Sequence, residues 1–315
     1  MYVPVALPSW PAGGGQPGVL TTQIESWVTS PPMRDLVAAC GERFPSGGLG
    51  ELLAGLDEIS GRRWDFRAGT LTRAQARVKH GGTWFPPQLR AQVLASATAL
   101  GLVEQAGPQL TAYDHVLVLG SYLDACLIRA LRAAELLAGG VRTGDVCGLT
   151  SFRPIEDFDR QAAERLGVPA GEHEVDGMDL ALRRAFALDA PLREQHEPSV
   201  RLHRRYRTAA GVPVSVIAAA SSTNGRANTV DTYREWESTE VADGDRLLLV
   251  TTTYFVPFQH CDAIRVFGLG RHRCGIDTIG VAPEYALTTT DHLMEIRSAV
   301  RSMRALHTAL AGVAQ

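Results

Sequence analysis

Four short stretches of the chain concentrate groups that do chemistry. In the richest, Ala218-Ala219-Ala220 leads into Ser221, Ser222, Thr223, Asn224, Gly225, Arg226, Ala227, Asn228, Thr229, Val230 and Asp231. Hydroxyls and backbone N–H groups just ahead of a helix start present donors to an anion or a polyol, and Arg226 adds a planar charged fork. Asn228 or Thr229 serves equally well as a plain N-cap with Asp231 complementing the helix dipole, so both uses stay open. The stretch Thr251 to His260 mixes hydroxyls with aromatics, and Thr252, Thr253, Tyr254 and Gln259 suit a flat group such as a purine whose edges need hydrogen bonds. The remaining two are Gly120-Ser121-Tyr122 with Asp124 and Arg129 downstream, and Thr150-Ser151-Phe152-Arg153. Asp124 and Asp231 are the carboxylates available for proton transfer, with helix capping as the alternative use of each. His260 and Asp262 fall inside a helical pattern, where a lone histidine is more often structural than catalytic.

These stretches fall at regular intervals, and the elements between them explain why. Val116-Leu117-Val118-Leu119 is a short continuous apolar run, followed by helical periodicity from Ala125 to Leu137. Asp145 to Leu149, Val212 to Ala219, Arg246 to Thr251 and Gly275 to Val281 repeat the apolar run, with helical segments between them and a long one from His292 to Ala311. Five buried strands alternating with helices predict an α/β fold with a doubly wound, Rossmann-like parallel sheet. In such sheets ligands sit at the carboxyl ends of the strands, where all four stretches lie. Residues 1–113 read as a small helical domain behind a loose Pro- and Gly-rich lead-in, and residues 114–315 as the ligand-binding α/β domain. A charge-rich insertion at 172–208 ends in four arginines within Arg201 to Arg207, and a basic run of that kind is usually a solvated face.

Composition narrows the chemistry further. With 31 basic and 34 acidic side chains in 315 residues, no global field draws the protein to nucleic acid or anionic lipid. Lys79 is the only lysine, and no Gly-rich turn surrounds it, which excludes a phosphate-loop or Schiff-base lysine. The five cysteines are scattered without a Cys-x-x-Cys pair, so neither a disulfide framework nor a metal site is expected. No apolar run reaches membrane-spanning length and the start of the chain does not read as a signal peptide, which favours a cytoplasmic location. Gly-x-Ser-x-Gly, His-Glu-x-x-His and a dinucleotide Gly-x-Gly-x-x-Gly after the first strand are all absent.

The order of these pieces over about residues 114–285 resembles the YdcF-like domain family. Val116 to Leu119 with Gly120-Ser121 looks like its opening strand and turn, and Arg129 and Arg132 fall in the helix that follows. Asn228-Thr229-Val230-Asp231 looks like its helix-opening signature, and Leu248 to Tyr254 like its Thr-Ser-x-Tyr strand and loop. Phe255 and Phe258 stand where that family carries a histidine and an arginine. The resemblance implies a nucleotide-like or anionic ligand, with S-adenosylmethionine as a cofactor type. The expectation is a small-molecule enzyme, a transferase or hydrolase, with a phosphate-ester enzyme and a non-catalytic sensor as alternatives; a homodimer is left open.

Overall fold

A computed structural model of the protein describes residues 2–67, 71–81, 85–104, 107–222 and 227–313. Helices α1 (Pro17–Val28), α2 (Pro31–Ala39), α3 (Leu49–Arg63), α4 (Arg73–His80) and α5 (Pro87–Ala99) come first. Prolines open α1, α2 and α5, where their fixed φ suits the first turn and the missing N–H costs nothing. The α/β part follows as β1 (Ala112–Leu119), α6 (Leu123–Ala138), β2 (Arg142–Ser151), α7 (Asp157–Leu166), α8 (Glu174–Phe186), β3 (Arg193–Glu197), β4 (Arg201–Arg207) and β5 (Pro213–Ala219). It closes with α9 (Thr229–Glu240), β6 (Arg246–Thr252), a 3₁₀ turn (Thr253–Phe255), α10 (Val256–Ala263), a π turn (Ile264–Gly268), β7 (Gly275–Val281) and α11 (Thr289–Val313).

The five expected strands are parallel neighbours in the order β5-β2-β1-β6-β7. Numbered among themselves they run 3-2-1-4-5, the Rossmann order, whose reversal point lies between β1 and β6. The charge-rich insertion is more than a solvated face. Its second half forms an antiparallel hairpin, β3 and β4, that extends the sheet beyond β5 to seven strands. In β4 Leu202, His203 and Tyr206 are buried while Arg201 and Arg207 are exposed, so the arginine-rich stretch is one half-covered strand.

Alternate residues of each central strand serve opposite faces. Val116, Val118, Leu248 and Val250 pack beneath α6 and α8, whereas Leu117, Leu119, Leu247 and Leu249 face the other way. That second face merges with the apolar sides of α1, α2, α3, α5, α10 and α11 into one continuous cluster. The helical region therefore shares its core with the sheet. The Pro- and Gly-rich lead-in is tied down as well, with Trp10 buried and bridged to Ile276 on the outer edge of β7. Gly167 closes α7 at φ 62°, a left-handed turn that glycine adopts without the Cβ penalty. Among the described residues no helix is long and apolar enough to cross a membrane.

Candidate functional site

A cleft of about 620 Å³ opens over the carboxyl ends of the parallel strands. Its floor is Leu119 to Tyr122 after β1 and Leu149 to Ser151 at the end of β2, and one wall is Ala227 to Val230 at the start of α9. The opposite wall is aromatic, with Tyr254, Phe255 and Phe258 following β6 and Tyr285 following β7. Arg77 from α4 and Ser298, Arg301 and Ser302 from α11 reach over it, so the helical part of the chain helps to enclose it. Among the described residues the lining holds four arginines (Arg67, Arg77, Arg265 and Arg301) against two carboxylates, Glu174 and Asp262.

Glycine at position 120 is a packing requirement. A Cβ there would lie 2.5 Å from Glu174 Oε1 and 2.7 Å from the Leu149 carbonyl oxygen. Its absence lets the Glu174 carboxylate come down onto the strand ends, where Ser151 Oγ donates to Glu174 Oε2 at 2.6 Å. Next to this pair Thr150 is 1% exposed, and its Oγ1 has no hydrogen-bond partner among the described residues. Arg129 lies fully buried beneath the floor and spans the reversal point. Its Nη1 donates to the carbonyls of Leu119 (2.6 Å) and Gly120 (2.9 Å), while Nε and Nη2 donate to Thr252 Oγ1 at 3.1 and 2.7 Å. No carboxylate lies within ion-pair distance of this guanidinium among the described residues, and burial pulls its pKa down. Arg129 is thus a brace that joins the ends of β1 and β6.

The amino end of α6, where a Rossmann fold receives a pyrophosphate, is filled by the protein itself. Asp159 Oδ1 accepts from the Leu123 N–H at 2.9 Å, and its Oδ2 accepts from Arg153 Nη1 at 3.0 Å. Burial works against the charge of Arg153, but nearby Glu174 and Asp159 outweigh it and hold the pKa up. The resident carboxylate explains chemically why no glycine fingerprint follows β1.

The residues expected to form the site separate into two groups. Gly120, Ser121, Thr150, Ser151, Asn228, Thr229, Tyr254 and Gln259 line the cleft together. Arg129 and Thr252 support it from below, and Thr253 is buried against Gly280. Arg153 is engaged with Asp159 and stacks over Tyr122 at 4.8 Å. Asp124 points to α7 and pairs with Arg165 at 2.7 Å, and Asp231 accepts from the Asn228 N–H at 2.9 Å in the capping box of α9. Neither aspartate lines the cleft. Ser221 is half-buried and Ser222 exposed just past β5, and Arg226 lies outside the described residues. His260 is structural, with Nε2 donating to the Pro8 carbonyl at 2.6 Å and Nδ1 accepting from Thr278.

Several lining residues escaped sequence reasoning. Glu174 opens a helix inside a charge-rich segment, and nothing in its neighbourhood marks it; only the tertiary position of α8 brings it beside Gly120. Arg77 is locked by Asp291 (2.9 Å) and by Tyr285, whose hydroxyl also meets that of Tyr254 at 2.7 Å. Arg265 and Asp262 pair at 3.0 Å where the π turn begins, and burial raises the pKa of Asp262.

A family described as the Rv3785 N-terminal domain matches residues 11–101, the helical region that partly covers the cleft. Beyond that region, the uncharacterized protein Rv3785 of Mycobacterium tuberculosis is 30% identical, and the alignment takes in 93% of this chain and 91% of that protein. The chain belongs to the Rv3785 family. The uncharacterized protein Mb3814 of Mycobacterium bovis aligns with the same identity and coverage. No solved structure matches. Membership in the Rv3785 family overturns the YdcF-like resemblance, because the match runs through the helical region that the resemblance left out. The short motifs that suggested it, a strand with Gly-Ser and an Asn-initiated helix, are what any Rossmann-like sheet needs at those positions.

Proposed function

We propose that the strand-end cleft binds a small anionic metabolite with a planar part, nucleotide-like in size and character. The observation that carries this reading is Thr150: a buried hydroxyl without a partner among the described residues, on the floor of a cleft, costs about 1–3 kcal/mol that a ligand acceptor or donor recovers. The volume of about 620 Å³ lies within the usual range for small-molecule sites. The aromatic wall suits a flat group, and the lining arginines, each paired with a carboxylate (Arg67 with Asp65, Arg77 with Asp291, Arg265 with Asp262, Arg301 with Asp57), carry more N–H donors than those pairs use and can offer them to an anion. Glu174 is the carboxylate positioned to take a hydrogen bond or a proton from a ligand hydroxyl, a role that Asp124 and Asp231 are turned away from. S-adenosylmethionine was implied by the YdcF-like resemblance alone, and no residue of the cleft singles it out.

Thermal-shift and calorimetric titration with nucleoside mono- and diphosphates and the matching nucleosides tests the reading. A ligand at 100 times its Kd adds about 2.7 kcal/mol of stability, and the effect should fall in Thr150→Val. Absence of stabilisation by every nucleotide and nucleoside would overturn it.

A further inference from the structure

The two outer edges of the sheet are finished differently. At β7 the edge is covered, since Trp10 bridges to Ile276 and the Gly13 N–H donates to the Arg273 carbonyl at 3.0 Å. At the far side β3 is the terminal strand, and all of Arg193, Glu194, Gln195, His196 and Glu197 are exposed. Neither a proline nor a bulge interrupts its five-residue pairing with β4. An open edge of this kind is a template for another strand, and natural edges are usually blocked.

The order of side chains on β3 specifies which strand fits. Laid antiparallel against a second copy with Gln195 opposite Gln195, the strand places Arg193 opposite Glu197 at both ends, so that these two charges meet their opposites, and sets Glu194, already paired with Arg204 at 2.9 Å, opposite His196. Leu192, 72% exposed, then comes opposite Pro198 at both ends of the pairing. Within its own hairpin Arg193 lies opposite Arg205, a like-charge register that is unfavourable alone. Neither Arg193 nor Glu197 makes a side-chain hydrogen bond or ion pair among the described residues. Across the hairpin Glu197 lies opposite Arg201, which is engaged by Glu235 at 2.6 Å, so each chain presents at one edge a cation facing a like charge and an anion without an ion pair among the described residues, separated so that a two-fold axis through Gln195 pairs both.

We propose that two copies of this chain associate through β3, joining their sheets edge to edge in an antiparallel dimer. The contact is isologous and closes on itself, so it makes dimers and not fibres. A five-residue strand pair lies below the roughly 1,200 Å² of a standard stable interface, and its ion pairs are exposed, so association is weak and salt-sensitive. The strand-end cleft has no part in it, and the proposal stands apart from the ligand reading.

Sedimentation velocity of the full chain, over a concentration series reaching on the order of 100 μM at low salt, reads the equilibrium directly. The native protein is expected to shift from monomer to dimer across the series. Arg193→Glu and Glu197→Arg should each weaken dimerisation at least tenfold, because each places like charges opposite one another. Mixing the two variants is the decisive arm: one carries two acids at these positions and the other two arginines, so a heterodimer should form where neither variant self-associates. A native chain that stays monomeric throughout overturns the proposal. So does a dimer unaffected by either reversal, or a mixture that remains monomeric while both variants retain the native circular dichroism spectrum.

Discussion

At the amino ends of the parallel strands, several polar side chains of β1, β2 and β7 are matched to one another and to nearby backbone. His115 on β1 lies between Asp145 of β2 and Asp245 just before β6, with both ring nitrogens 3.0 Å from a carboxylate oxygen. Tyr113 donates to Asp277, which also accepts from the Gln109 N–H at 2.7 Å, and Asp114 accepts from the Arg246 N–H at 2.8 Å. At the carboxyl ends of the same strands, Thr150 Oγ1 and Arg153 Nε are buried without hydrogen-bond partners among the described residues, and Arg129 has no carboxylate within ion-pair distance among them. One end of the sheet is finished as structure. The other holds polar groups in positions that cost stability, as sites for ligands commonly do.

That contrast places the largest stability loss at the amino end. Replacing His115 by alanine removes both charge-assisted contacts and leaves Asp145 and Asp245 facing each other largely buried, at 15% and 16% side-chain exposure. A loss of about 3–5 kcal/mol is expected in urea unfolding, the range for breaking a buried ion pair by deleting one partner. A change below 1 kcal/mol would show that the network is incidental.

The same residue gives the contrast a pH signature. Burial alone would lower the imidazole pKa of His115, but hydrogen bonds and charge from Asp145 and then Asp245 outweigh it and raise it. The folded state therefore holds this proton more tightly than the unfolded chain. Its stabilising contribution is complete below the unfolded value of about 6.5 and is lost as pH rises through the raised folded value. Unfolding free energies measured across that window should decline in the native protein and lose that slope in His115→Gln. An equal slope in the variant would assign the effect to other groups.

Much of this architecture is legible in the residues themselves. The apolar runs ending at Leu119, Leu149, Ala219, Thr251 and Val281 mark the parallel strands, because strands covered on both faces must be apolar throughout. Gly120, Ser121, Thr150 and Ser151 follow at once as strand-end residues, since topology alone carries them to one rim. Glu174, Arg77 and Arg301 were not legible, because their place depends on how α8, α4 and α11 dock, and a single charged residue on a helix carries no record of its partner across the chain. Asp124 and Asp231 show the converse. Their types suit proton transfer, but the helix starts that made them visible also turned them to local partners, Arg165 and the Asn228 N–H.

At the carboxyl end the effects should be smaller and should divide binding from folding. Arg129→Met keeps much of the buried volume and removes a costly unpaired charge, but it orphans the Leu119 and Gly120 carbonyls. A net loss of about 1–3 kcal/mol is expected, less than at His115, together with loss of nucleotide binding as the ends of β1 and β6 separate. Glu174→Gln retains the shape beside Gly120 and the contact with Ser151, and Asp159 still holds Arg153 at 3.0 Å, so the loss of the buried charge should cost only about 1–2 kcal/mol. If the carboxylate moves a proton, turnover should fall at least a hundredfold with little change in ligand affinity. Equal losses in affinity and stability would make Glu174 a structural partner of Arg153 instead.

The finest test is Thr150→Val, which exchanges one hydroxyl for a methyl group of nearly the same shape on a strand. A hydroxyl with a protein partner would be missed, and its loss would cost about 1 kcal/mol. The Thr150 hydroxyl has no such partner among the described residues and sits in a residue only 1% exposed, so its removal relieves a desolvated polar atom, and β-branched valine suits the strand. The variant should therefore unfold at the same or a slightly higher temperature, by up to about 1 kcal/mol, while its affinity for the nucleotide that stabilises the native protein falls about tenfold. Opposite signs in stability and affinity are what a polar group kept for a ligand must produce. A matching substitution at the amino end, Tyr113→Phe, takes a hydroxyl away from Asp277 and the Leu110 N–H, so there stability should fall with no effect on binding. If both variants lose stability alike, the two ends of the sheet do not differ in kind, and the cleft is a gap in the packing and no longer a site.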